Sequence, residues 1–173
     1  MELYHGTDLL SAISICDEGI EFISSKTAPP DFGPGFYTTS DKKSAINWAH
    51  RKAIARRSRP ALVTLIFDEE KADNIIKRFN DDLEWGQFVI NNRNGYKYMK
   101  AIHSDMHNLD LRYDITCGRI ADIDIVTVSK QLKETETPLT SRDEIFNPKY
   151  SMQYVFHTKK GLEFILKKRY RPL

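Results

Sequence analysis

Two short stretches hold the residue types and spacing that could do chemistry. The first, Tyr4-His5-Gly6-Thr7, sets a histidine beside two small residues. The second is Asp31-Phe-Gly-Pro-Gly-Phe-Tyr-Thr-Thr-Ser40. Its two glycines and proline build a tight turn, and an aromatic pair and two threonines then leave the turn as a strand. Ser40 and Asp41 follow as helix-start residues. The helix they open carries Ser44 and Trp48 one turn apart on one face. A turn, a strand bearing Tyr37 and a helix offering a hydroxyl and an indole would make a floor for a flat polar ring.

Other chemistries find less support. Only His103 and His107 have the i,i+4 spacing of a helical metal pair, and no glutamate or third ligand accompanies them. No metal site is therefore expected. Cys16 and Cys117 each sit in an apolar context and read as buried thiols in a reducing compartment. The turn at Gly33 and Gly35 lacks the lysine and hydroxyl of a P-loop. It feeds a strand, so it is not a dinucleotide fingerprint of the strand-to-helix kind either.

The elements that must position these residues follow from pattern and punctuation. A strand over Leu3–His5 leads to a helix capped by Thr7 or Asp8, with Leu9, Ile13 and Cys16 inward and Gly19 ending it. Ile20–Ile23 reads as a brief strand and Phe36–Thr39 as another. Residues 41–57 read as a helix stopped before Pro60. Ala61–Phe67 is nearly all apolar and belongs inside a sheet. Helices are expected over 70–79, 83–93 and 159–170, the last with Leu162, Ile165 and Leu166 inward. Strands are expected over Tyr113–Cys117 and Met152–Phe156. Residues 123–133 fit strand or helix, and 133–147 read as a loop. Strands outnumber βαβ units, which favours a mixed α+β domain of two small packed sheets with flanking helices.

At 173 residues and 40% hydrophobic content, a single domain spanning 1–173 is expected. No window is apolar enough for a transmembrane helix, and the N-terminus lacks a signal-peptide pattern, so a cytoplasmic protein with no membrane partner is expected. Net charge is only +2, but its distribution is uneven. Lys42, Lys43, Arg51, Lys52, Arg56, Arg57 and Arg59 crowd one helix, and Lys167, Lys168, Arg169 and Arg171 the C-terminus. Such blocks fit either solvated faces or a surface that attracts phosphate or nucleic acid.

Taken together in order, these segments resemble the His-Tyr-acid branch of the ADP-ribosyltransferase superfamily, which includes diphtheria toxin and the poly(ADP-ribose) polymerases. The matching runs are His5-Gly6-Thr7, then Gly33-Pro34-Gly35-Phe36-Tyr37 with Ser44-Ala45, then Met152-Gln153-Tyr154-Val155-Phe156-His157. Small bacterial toxin-like domains of that clan also resemble this chain at Trp85…Phe88-Val89…Asn92-Arg93 and Tyr113-Asp114-Ile115…Gly118…Ala121-Asp122. The resemblance spans nearly the whole chain. It implies an ADP-ribosyltransferase-like fold and an enzyme that takes NAD as substrate, without a metal. It implies that Gly6, beside Thr7, grips the nicotinamide amide, with Ser44 adding a hydroxyl. Tyr37 would stack on the ring and Trp48 would close its other face, although the family's aromatic lies three residues after the serine and Trp48 four. His5 would bind a ribose hydroxyl. Gly35 belongs to the turn, and Arg93 suits a pyrophosphate.

The family's third motif carries a glutamate where this chain has Gln153. A glutamine keeps the hydrogen bond to the ribose and loses the charge, which argues for mono-ADP-ribosylation or for lost activity. Asp114 is the expected replacement carboxylate. The implied partners are NAD, a macromolecular acceptor (protein or nucleic acid) and an antitoxin or inhibitor protein. The rival readings are an NAD glycohydrolase, a transferase of RNA 2′-phosphate to NAD, and a non-catalytic module that binds NAD or ADP-ribose.

Overall fold

The computed structural model describes residues 1–22, 30–80, 82–94, 106–120 and 151–173. The expectations for Ile23, His103, Ala121, Asp122 and residues 123–147 lie outside them. The elements are β1 (Glu2–Asp8), α1 (Leu9–Asp17), β2 (Phe36–Thr39), α2 (Lys42–Arg56), β3 (Pro60–Phe67), α3 (Glu69–Ala72) and a 3₁₀ turn (Asp73–Ile75). They continue with β4 (Ile76–Arg78), α4 (Asp82–Asn94), β5 (Ile115–Arg119), β6 (Met152–Phe156), α5 (Lys159–Leu162) and β7 (Ile165–Pro172).

The α+β expectation holds, but the two-sheet arrangement does not. The strands form one mixed seven-stranded sheet in the order β4-β5-β6-β2-β1-β3-β7. Among the described residues, only β4 and β5 run parallel. The join between the halves is narrow. β1 pairs with β3 from Glu2 to Asp8, yet it meets β2 at the single position Tyr4↔Thr39. Beyond Tyr4 the two strands part company, and a cleft opens there.

Alternation along the strands sorts the two faces. Leu3, Val63, Leu65, Phe67, Ile115, Tyr154 and Phe156 pack with Ala12 of α1 in the larger core. On the opposite face, Gly6 lies against α2, and Val155 packs with Phe32, Phe79, Trp85, Phe88 and Val89 beneath α4. Helices α2 and α4 therefore stand on the same side of the sheet, on either side of the β1–β2 opening.

Local chemistry accounts for most boundaries. Asp8 caps α1 by accepting from the Ser11 amide at 3.1 Å, and Asp41 caps α2 by accepting from Lys43 at 2.9 Å. Helix α2 stops at Arg57, which takes a left-handed φ of 51°. The helix expected over 70–79 ends at Ala72. Ile76–Arg78 instead adds a parallel strand to β5, and Arg78 turns back to Glu69 at 3.0 Å and Asp73 at 2.9 Å. The helix expected over 159–170 is one turn, α5, followed by edge strand β7 on β3. Leu166 is exposed, and lysines and arginines guard this edge against further pairing. Residues 20–22 carry no strand.

Candidate functional site

A cavity of about 600 Å³ fills the opening between β1 and β2. That is within the range of pockets that hold small molecules and cofactors. Register sets its floor. Tyr4 pairs with Thr39, Thr39 with Gln153, and Tyr37 with Val155, so Tyr4, Tyr37, Thr39 and Gln153 share the face beneath α2 and α4. Trp48, Arg51 and Lys52 of α2 form one wall, and Asp31 and Arg93 the other.

His5 lies on the other face by alternation, and its ring spans the gap to β2. It stacks on Phe36 with centroids 4.5 Å apart, and its Nδ1 lies 2.6 Å from the Tyr37 carbonyl oxygen. A carbonyl can only accept, so Nδ1 carries the proton and Nε2 is the acceptor. The imidazole thus caps a β2 carbonyl where the ladder has splayed. Burial, helped by the nearby Lys52 cation, holds the His5 pKa down to about 3, against the pull of the Tyr37 carbonyl and Asp8. His5 is a neutral hydrogen-bonding group. Lys52 is itself half-buried, and burial together with Arg56 lowers its pKa, opposed by Asp8.

The Tyr37 hydroxyl closes the preceding turn. It accepts from the Phe32 amide at 2.9 Å and donates to the Gly33 carbonyl at 2.7 Å. Burial pushes its pKa well above the ordinary value. Gly33 needs its φ of 83°, which most side chains would strain. Trp48 is 50% exposed at the cavity wall, with the Arg51 guanidinium 5.4 Å from its ring centre. Gln153 is almost fully buried on the floor. Its Nε2 donates to the Arg119 carbonyl at 3.1 Å and to Asp31 Oδ2 at 3.3 Å. Asp31 in turn accepts from Arg93 Nε at 2.6 Å on Oδ1 and forms an ion pair with that guanidinium.

The structure thus brings His5, Gly6, Tyr37, Trp48, Arg93 and Gln153 together on one cavity. It places four other expected residues elsewhere. Thr7 is buried away from the cavity. Gly35 packs against β6, where a Cβ would come within 2.6 Å of Val155 Cγ1 and 2.8 Å of the Phe156 carbonyl oxygen. Ser44 donates to Asp41 at 2.6 Å, and Asp41 also accepts from Ser151 at 2.9 Å. That ties the start of α2 to the start of β6. Asp114 is occupied by Thr158 at 2.5 Å and Lys160 at 2.9 Å, off the cavity. Burial raises its pKa, but these two bonds outweigh it and the net shift is downward. The carboxylate beside Gln153 is Asp31, which sequence reasoning did not single out. Its signal was its place at the head of the glycine turn. Arg51 and Lys52, one turn beyond Trp48, were read only as part of a basic block.

Helix α4 holds the far wall. The Trp85 indole donates to the same Arg119 carbonyl that Gln153 uses, at 3.0 Å. Asn92 accepts from the Asn108 amide at 2.9 Å and stands 2.9 Å from where a Gly33 Cβ would be. His157 pins the turn from below. Its Nδ1 donates to the Pro34 carbonyl at 2.5 Å, leaving Nε2 to accept from the Thr116 hydroxyl at 2.8 Å. Among the described residues no cluster of His, Cys, Asp and Glu could hold a metal ion, and no helix is long and apolar enough to cross a membrane.

The buried imidazoles make the fold acid-labile. Burial lowers the His157 pKa from 6.5 to about 4, opposed by the Pro34 carbonyl and Asp114. Between those two values the unfolded chain binds the proton and the folded one does not, so stability is full above pH 6.5 and falls toward pH 4. His157 alone accounts for a loss of about 3 kcal/mol across that window. Urea midpoints should therefore drop between pH 7 and pH 5, where carboxylates stay ionised. His157→Gln should start lower and show a shallower drop.

None of the curated proteins compared with the chain matches it. Over residues 1–167 it matches a family model described as a protein of unknown function (DUF3990), and it belongs to that family.

Proposed function

We propose that this protein is an NAD-consuming mono-ADP-ribosyltransferase, with an ADP-ribosyltransferase-like fold, that acts in the cytoplasm as a toxin of toxin–antitoxin or phage-defence type. The observation that carries the reading is the convergence of His5, Tyr37 and Gln153, from three strands, on one cavity with Trp48 at its wall. The chemistry asks for that set. Cleaving the bond between nicotinamide and ribose passes through an oxocarbenium-like state, so the site must grip both halves and favour positive charge between them. Tyr37 and Trp48 offer aromatic surface for the nicotinamide. His5 Nε2 and Gln153 Oε1 offer acceptors for ribose hydroxyls. Arg51, Lys52 and Arg93 line the walls where a pyrophosphate needs cations. The acceptor is a macromolecule, and the basic face of α2 suits an acidic one.

The test is incubation of the purified protein with adenine-labelled NAD and a cell lysate, separated into protein and nucleic-acid fractions. Label in one fraction, lost in His5→Ala and Gln153→Ala, supports transfer and names the acceptor class. Nicotinamide release without label identifies a glycohydrolase. Transfer of an RNA 2′-phosphate to NAD identifies a phosphotransferase. NAD binding without turnover identifies a non-catalytic module.

Trp48 gives a cleaner prediction, because its exposure separates binding from folding. Trp48→Ala should leave the urea midpoint unchanged and weaken NAD binding about tenfold, near 1.4 kcal/mol, by calorimetry.

A further inference from the structure

We propose that Asp31 supplies, through Gln153, the negative charge that a glutamate at position 153 would carry. This rests on the transferase reading above. The amide of Gln153 has one possible orientation. Its two partners, Asp31 Oδ2 and the Arg119 carbonyl, can only accept, so both face Nε2. The carbonyl Oε1 is then the end presented to the cavity. A hydrogen bond to an ionised carboxylate pulls the amide proton toward Asp31 and pushes electron density onto Oε1.

Asp31 is held for that role. Arg93 donates to Oδ1, and Gln153 donates to Oδ2. The Arg119 carbonyl is fixed by the Trp85 indole. Both anchors come from α4, so the helix sets the polarity of an amide that lies on another element. Asp31 is thus a positioning residue, acting on the substrate through Gln153.

In the step it assists, the bond between ribose C1′ and the pyridinium nitrogen breaks. The bonding pair leaves with nitrogen, giving neutral nicotinamide and a ribosyl cation. An acceptor X–H donates a pair to C1′, forms the C1′–X bond and releases its proton. A ribose seated over the cavity floor would meet Oε1 as an electron-rich acceptor while positive charge grows at C1′.

The experiment is steady-state NAD turnover with Asp31→Asn, Gln153→Glu and the double variant Asp31→Asn/Gln153→Glu. Urea unfolding of each runs alongside. Asp31→Asn keeps the size, removes the charge and turns one of the two accepting oxygens into a donor, and it should lower kcat about 30-fold with KM within about threefold. The double variant moves the charge to position 153 and should recover most of the loss. Gln153→Glu alone sets two carboxylates side by side, so one titrates at raised pH and a new step appears in its pH–rate profile. The double variant lacks that step. If kcat survives Asp31→Asn, or folded double variant stays as slow as the single, the inference is overturned. It is overturned equally if the Gln153→Glu profile matches wild type, a readout that stands even if Asp31→Asn does not fold. Wild-type protein that consumes no NAD overturns the transferase reading and this inference together. Wild-type turnover with indifferent variants overturns this inference alone.

Discussion

Gly6→Ala should cost the protein more stability than alanine at Gly19, Gly33, Gly35, Gly118 or Gly161. A Cβ at that position would lie 1.8 Å from the Ala45 carbonyl oxygen and 2.7 Å from the Ala49 amide nitrogen. Both are main-chain atoms of α2. Shortening Ala45 or Ala49 to glycine therefore relieves nothing, and the helix must retreat from β1 by on the order of 1 Å. That retreat opens the whole seam, because Ala45, Ala49 and Ala53 form the buried edge of α2. Overpacking of a rigid core costs about 1–3 kcal/mol and occasionally more; a clash against backbone along a 15-residue helix belongs at or above the top of that range. The urea midpoint should fall accordingly, and amide exchange in α2 should quicken. An alanine at Gly6 that left the midpoint in place would mean that α2 does not pack on β1 as described. The consequence for function is direct. The closeness of α2 to β1 puts Trp48 and Lys52 at the cavity edge, so the packing of buried Gly6 shapes the cavity.

Gly6 also shows what the sequence discloses and what it withholds. A histidine followed by glycine, a glycine-rich turn into Phe36–Thr39, and an Asp41-capped helix stopped before Pro60 are local signals, and the corresponding elements form where those signals fall. Partnership across the chain is not local. Leu162, Ile165 and Leu166 have helical spacing, yet the chain after α5 extends because β3 offers it an edge from Ala61 to Phe67. Ile76–Arg78 is a strand only because β5, some forty residues on, lies beside it. The single sheet depends on one pairing, Tyr4 with Thr39, which no composition rule announces. The site follows the same division. Its residues on motif-bearing strands, His5, Tyr37 and Gln153, were legible. Asp31 was not, because its place at the cavity is set by hydrogen bonds from Arg93 and Gln153, which approach it from sequence distances of 62 and 122 residues. Asp114 had the better sequence context and turned out to be bound by Thr158 and Lys160.

On the transferase reading, His5→Ala should have the largest effect on NAD turnover. The imidazole has two ends with different duties. Nδ1–H satisfies the Tyr37 carbonyl at 2.6 Å, at the point where β1 no longer can. Nε2 remains an acceptor toward the ribose. Alanine removes both, along with the stacking on Phe36. Losing a positioned hydrogen-bonding group from such a site costs about 10²–10³-fold in turnover. Leaving a carbonyl short of its partner costs about 1–3 kcal/mol in stability. The two losses separate with a second variant. Asparagine at position 5 offers an amide that can donate to the Tyr37 carbonyl but is too short to present an acceptor where Nε2 stands. His5→Asn should therefore regain part of the urea midpoint and little of the turnover. The pH profile adds an independent check. With its pKa near 3, His5 stays neutral wherever the protein is folded, so wild-type turnover should show no step near pH 6.5 from this residue. A step there that vanished in His5→Asn would mean that the imidazole works as a titrating acid or base. It would also mean that the cavity is wetter around β1 than its packing implies.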